Sequence, residues 1–321
     1  MIPLNTQPNS GIWTNKSPIR HARSHCPPAV YKNRIYVFGG GGPHFASLNS
    51  VYAYDPPTDT WEQKADMPTL RSGSVTAVIG NRIYVMAGGF KQANGQFKFL
   101  NIVEIYYPET DTWESGPDLL MPHDYPAAAV LNGEIYVLGG HHPDATKAGP
   151  KTDPGFDFCE RLNPSSGVWE EIAPLIQPRF ALAGVVADDA ILTMGGVAFT
   201  PDGFNNFTLV ERYDPLNNRW VRDERYTLPW PAAGLGACTM DGRIYIFGGY
   251  STDNIHNRAA FFDSVLGKWQ RIADMPAPRA AMGVANLGHT IYLIGGWADD
   301  GRTPQAEVFA YTPSVARTNH E

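Results

Sequence analysis

One stretch limits what this chain can fold into: Arg34-Ile35-Tyr36-Val37-Phe38-Gly39-Gly40. It is a short apolar run, rich in β-formers, that closes on two glycines. Related stretches recur at 82–89, 134–140, 190–196, 243–249 and 290–296. The first glycines fall at 39, 88, 139, 195, 248 and 295, so the spacing runs from 47 to 56 residues. A period of roughly 50 residues belongs to the blade of a propeller and not to a helical solenoid. A strand that gives up two side chains at its end also leaves room for another backbone to come close.

Two further elements keep step with the glycines. Pro56, Pro108, Pro164 and Pro215 each precede a tryptophan by five residues (Trp61, Trp113, Trp169, Trp220), and Ser264 stands in the same relation to Trp269. Phrases such as Tyr54-Asp55-Pro56 and Tyr213-Asp214-Pro215 read as a strand entering a turn. Each repeat is therefore expected to be four antiparallel strands, a to d: the glycines end b, the tyrosine phrase ends c, and the tryptophan lies on d. Ten residues after Trp13, Trp61, Trp113, Trp169 and Trp269 come Arg23, Arg71, His123, Arg179 and Arg279. On this count the second repeat carries one extra residue, assigned to Ala87 and to a bulge. The fifth carries two, between Trp220 and Ala232, beside Pro229-Trp230-Pro231.

The six glycine pairs in phase with six tryptophans resemble the kelch repeat over nearly the whole chain. That resemblance implies an all-β, six-bladed β-propeller, one domain over 1–321. After Pro313 the position expected for a tryptophan is Thr318, and 314–321 is polar, so the last blade lacks a fourth strand of its own. Trp13 has no glycine pair before it. Residues 11–16 are expected to complete blade six, which joins the chain ends and leaves only short, protected strand edges.

Composition bears on the setting. Thirty-two glycines and 27 prolines fall at repeated positions and so mark turns. Residues 1–10 contain no apolar run of signal-sequence length, and no later stretch could span a membrane. Cys26, Cys159 and Cys238 are odd in number and far apart, which suits free thiols in a reducing compartment; a cytoplasmic monomer is the expectation. A net charge of −7 without a basic run argues against nucleic acid as partner.

The strand order places tight a–b and c–d turns on one face and the long b–c loops, 41–48, 90–100, 141–156, 197–207, 250–256 and 297–305, on the other with the d–a connections. Long loops on a rigid scaffold are where binding or catalysis usually sits. The residues expected to ring the channel mouth there are Arg23, Arg71, His123, Arg179, Trp230 and Arg279. Behind them come Ser24, His25, Ser72, Asp124, Tyr125 and Phe180. The positions after the glycines add Phe90, His141, Tyr250 and Trp297; the starts of strand c add Asn49, Asn101, Asp157 and Asn257. Forked guanidinium donors beside aromatic walls suit an anionic or oxygen-rich ligand or an acidic peptide. A second possibility is that the arginines only bond loop carbonyls. Glu104, Glu160 and Glu211 share one place in three c strands, and their recurrence argues for a structural role.

Two readings of function follow. The first is a recognition module, the role of kelch domains in ubiquitin-ligase adaptors, whose additional N-terminal oligomerisation domain is not seen in this sequence. The second is a cofactor-independent isomerase, mutarotase or cyclase, for which kelch-type sialic acid mutarotases are a precedent. His25, His123, Asp124 and Tyr125 could supply acid–base groups. The copper ligands of kelch-type galactose oxidase and the iron motif of plant specifier proteins cannot be matched here, and no metal or cofactor is expected. Recognition is the preferred reading, since no catalytic constellation is legible.

Overall fold

Each apolar run becomes strand b of a sheet and is buried along almost its full length; in Arg34–Gly41 only the first residue is partly exposed. The computed structural model describes residues 11–145, 154–200, 203–252, 254–298 and 300–314. Within them lie six antiparallel sheets, one per repeat, each with four strands in the order a-b-c-d, as in a six-bladed propeller; blade two gains a short fifth strand, Phe97–Phe99, and Val197–Thr200 pairs with Gly203–Asn206 in a separate hairpin. Blade one runs Pro28–Tyr31, Arg34–Gly41, Ser47–Asp55 and Thr60–Lys64. Blade six runs Gly283–Leu287, Thr290–Ile294 and Val308–Thr312, and its fourth strand is Ile12–Lys16, with Trp13 opposite Tyr311. The polar tail expected from 314 lies outside the described residues after Ser314.

The glycine pair has a defined task. Gly39 and Gly40 take φ of 47° and 99°, and the pairing of strand b with strand c shifts by one residue between Phe38 and Gly40. The same shift occurs between Leu138 and Gly140. This bulge turns the end of strand b and brings the next blade's backbone against it: a Cβ at Gly39 would lie 2.7 Å from the Arg71 carbonyl oxygen. Blade two corrects one expectation. Ala87 is not an inserted residue; at φ 61° it stands where the other blades have their first glycine, and Gly88 at φ 84° stands where they have the second. In blade five the two extra residues fall in a connection that contains a 3-10 turn, Glu224–Tyr226, whose Tyr226 packs on Phe262.

Packing occurs mainly between neighbouring blades. Phe38 and Val51 of blade one, for example, share a cluster with Ile83, Val85 and Tyr106 of blade two. The d-strand tryptophans tie each blade to the one before it. Their indole N–H groups donate to a backbone carbonyl just beyond the preceding blade: Trp61 to Ser17 at 2.8 Å, Trp113 to Ala65 at 3.0 Å, Trp169 to Pro117 at 2.8 Å. Trp220 donates to Ala173 at 2.8 Å and Trp269 to Tyr226 at 3.2 Å. Trp13 donates to Ala273 at 3.0 Å and so closes the circle. The accepting residue is often held a second time. Ser17 N–H donates to Asp59 at 2.9 Å, Ala65 to Asp111 at 2.8 Å and Ala173 to Asn218 at 2.9 Å. Among the described residues no helix is long and apolar enough to cross a membrane.

Candidate functional site

The channel narrows where the d–a connections enter strand a. One residue from each blade sits there in the left-handed region: His25, Gly73, Tyr125, Ala181, Gly234 and Ala281, with φ between 48° and 66°. Their backbones bond in a closed circle. His25 N–H donates to Ala281 at 2.7 Å, Gly73 to His25 at 3.3 Å, and Tyr125 to Gly73 at 3.0 Å. Ala181 donates to Tyr125 at 2.9 Å, Gly234 to Ala181 at 2.7 Å, and Ala281 to Gly234 at 2.7 Å. This neck surrounds an axial cavity of about 150 Å³. Four of the six are not glycine, a conformation that costs a side-chain-bearing residue about 1 kcal/mol or more and persists only where the surroundings impose it.

Outside the neck, the row of cationic residues expected at the mouth is instead a buried brace. Arg23, Arg71 and Arg179 are 0% exposed. Arg71 donates to Ala87 O at 3.1 Å, Ile102 O at 3.0 Å and Glu104 Oε2 at 2.8 Å. Arg179 pairs with Glu211 at 3.0 Å, and His123 with Glu160 at 3.0 Å and the Gly139 carbonyl at 2.6 Å. Burial pulls the Arg71 and Arg179 guanidinium groups below their ordinary range, and the glutamates oppose that shift. Where strand c offers an aromatic ring in the glutamate's place, the arginine lies over it. Arg23 is 5.0 Å from the Tyr52 ring centre and Arg279 is 5.3 Å from that of Phe309. Arg279 also reaches Glu307 at 3.2 Å. Blade five has Ala232 and Ala260 at the two places, and the Trp230 indole fills the gap, donating to Gly248 O at 3.1 Å.

The structure therefore places much of the expected ligand set away from the open mouth. Arg23, Arg71, Arg179, Arg279, His123 and Trp230 are buried and committed to strands b and c. Asn49 and Asn101 hold the d–a connections, donating to Met67 O and Leu119 O at 3.3 Å each. The backbone carbonyls of Asp157 and Asn257 serve the same connections, accepting from Leu175 N–H at 2.9 Å and Met275 N–H at 2.8 Å. Phe90 extends strand b, half-buried and paired with Lys98.

The structure brings together His25, Asp124, Tyr125, His141, Phe180, Tyr250 and Trp297. They form a track of rings across the mouth. Exposed Phe45 stands edge-on to Trp297 at 6.3 Å, Trp297 to His25 at 4.4 Å, and His25 to Tyr125 at 4.5 Å. Tyr125 meets His141 at 5.4 Å, and His141 packs on Phe180 at 3.7 Å and lies parallel to Phe99 at 5.6 Å. Phe180 meets Phe204 at 6.5 Å, and Tyr250 packs on the same buried cluster. Burial, with repulsion from His141 as the lesser cause, lowers His25 to about 3, so its imidazole is neutral near pH 7. The His141 Nδ1 lies 3.1 Å from Asp124 Oδ2.

Trp297 differs from the other seven tryptophans. Each of those donates its indole N–H to a backbone carbonyl. The Trp297 indole makes no such bond among the described residues, and its ring is partly exposed. Sequence reasoning missed Phe45, Phe99 and Phe204; the available signal was an aromatic residue in each of the loops 41–48, 90–100 and 197–207. Among the described residues, no three His, Cys, Asp or Glu side chains converge as a metal site.

Comparison with known proteins bears on this geometry. A family model described as the KLHDC2/KLHL20/DRC7 Kelch-repeats domain matches residues 6–196, and a Kelch motif model matches residues 231–276. Kelch-like protein 36 of Bos taurus is 29% identical over 274 residues, covering 82% of this chain and 42% of that protein. Kelch repeat and BTB domain-containing protein 12 of Danio rerio is 26% identical, covering 57% and 31%. Beta-scruin of Limulus polyphemus is 26% identical, covering 54% and 19%. The chain thus spans less than half the length of these relatives. The solved structure of YjhT matches with a TM-score of 0.78 at 18% identity, covering 95% of this chain and 98% of that one, a likeness of fold.

Proposed function

The chain belongs to the kelch-repeat family, and on that footing we propose that it is a recognition module that holds a polypeptide partner on its b–c loop face. One observation carries the proposal: the ring track from Phe45 to Phe99, with the unspent Trp297 indole donor within it. Aromatic rings give large contact area with few rotatable bonds, and an indole N–H beside them fixes an acceptor. The buried arginines contribute nothing to a ligand at the mouth, so recognition there rests on apolar contact and a few hydrogen bonds.

Selection of binders from a phage-displayed library of random peptides tests this reading. Most binders are expected to lose at least about tenfold in affinity with Trp297→Ala, the size of an interface hot spot, and to be unaffected by Leu216→Ser. Leu216 is 94% exposed in a c–d turn on the opposite face. Binders that ignore Trp297→Ala and respond to changes on the opposite face would overturn the reading.

The Asp124–His141 pair favours a second reading, a cofactor-independent isomerase, mutarotase or cyclase. In it, His141 at the mouth takes the place of the buried His123 in acid–base work. Anomer or epimer interconversion of sugars, abolished by Asp124→Asn, would support it; no interconversion with any sugar offered would count against it.

A further inference from the structure

A cavity of about 400 Å³ lies between the b–c loops of blades two and three, beside the mouth. Phe97, Phe99, Pro122 and Pro143 form its apolar walls, and Gln92, Gln96 and Lys98 complete the lining. Its volume falls in the range of ligand sites, roughly 300–1,000 Å³. Three observations tie it to recognition. Phe99 is one of its walls and also the end of the ring track, through its parallel packing on His141, so the cavity adjoins the mouth. Phe97 is half-buried yet makes no ring contact among the described residues and belongs to none of the buried clusters. Lys98 is exposed and has no ion-pair partner among the described residues, so its charge is available beside the cavity.

We propose that this cavity is the anchor subsite of the mouth. It takes a large apolar side chain of an extended peptide that carries a carboxylate nearby for Lys98. The proposal rests on the mouth being a peptide site. Neighbouring apolar and cationic groups select an apolar residue with an acidic neighbour by burial and by charge complementarity. The cationic Lys98 beside the apolar Phe97 and Phe99 favours a peptide with an acidic and an apolar residue over a neutral sugar.

The mouth-dependent binders from the random-peptide selection, those lost with Trp297→Ala, are the probes. They are expected to share a large apolar residue with Asp or Glu close to it. Phe97→Ala should weaken them about tenfold or more. Lys98→Glu should weaken them several-fold, in line with an exposed ion pair, and reselection on that variant should replace the acid by Lys or Arg. Both positions are partly or fully exposed, and unchanged melting temperatures are expected. Mouth-dependent binders indifferent to both substitutions would overturn the anchor subsite and leave the mouth reading standing. An absence of mouth-dependent binders would overturn both. Oligosaccharides bound in a Phe97-dependent way, with no peptide doing so, would overturn the peptide assignment.

Discussion

Arg71 and Trp297 show how little a residue's type says about its task. Arg71 is enclosed, with three contacts on its two terminal nitrogens, and its pair with Glu104 is a brace between strands a and c of one blade. Removing one partner of a buried pair leaves a charge without compensation. Arg71→Ala should therefore cost about 3–5 kcal/mol, whereas Arg71→Met with Glu104→Leu should be near neutral. Urea denaturation measures both; an Arg71→Ala protein as stable as wild type would contradict the brace. The Asp59 and Asp111 carboxyls illustrate a pH-linked contact. The Tyr54 hydroxyl at 2.6 Å chiefly holds Asp59 below its usual range. Burial alone would raise Asp111, but the Tyr106 hydroxyl, the Ala65 amide and Lys64 outweigh it. A folded value below the unfolded one, about 3.9, means stabilisation that is present at higher pH and is lost as pH falls through that value and below. Tyr54→Phe should cost more at pH 7 than at pH 3; equal losses at both would contradict this. The brace was only half legible. Glu104, Glu160 and Glu211 stand out as a repeated position, but their partners lie 32 to 37 residues away across loops of unequal length. The pairing emerges only when strand c is aligned from its closing turn. Then Glu goes with Arg or His, Tyr52 and Phe309 go with a stacked Arg, and Ala260 goes with Trp230.

At the scale of the element, the blades were legible because the bulge, the turn and the d-strand indole each demand a residue type at a fixed place. Ala87 was misplaced because a glycine count cannot distinguish an inserted residue from an alanine held in a glycine's conformation. The closing strand is the most testable element. Trp13 bonds to Ala273 and packs on Tyr311 and Phe247, so Trp13→Ala should cost roughly 3 kcal/mol and lower the melting temperature by several degrees. An unchanged melting curve would contradict the closure. Cys26, Cys159 and Cys238 lie buried in blades one, three and five, and burial pushes the Cys238 thiol up to about 12. A chromogenic thiol reagent should react with three groups in denaturant and with almost none in the native protein. Rapid reaction of the native protein would contradict their burial.

For the molecule as a whole, two closed circles of hydrogen bonds set the geometry. The inner one, through six left-handed backbones, forms the neck; the outer one, through six indoles, fixes each blade to its neighbour. Between them the charged layer is sealed, and the b–c face is left with aromatic rings. That face follows from loop contents, which obey no repeat, and for this reason the sequence put arginines at a mouth where the structure buries them. The most direct test is backbone amide exchange with and without a selected mouth-dependent peptide. Slowed exchange is predicted in 41–48, 90–100 and 297–305, with no change in the c–d turns such as 214–218. Protection of the c–d turns with the b–c loops unchanged would contradict the account.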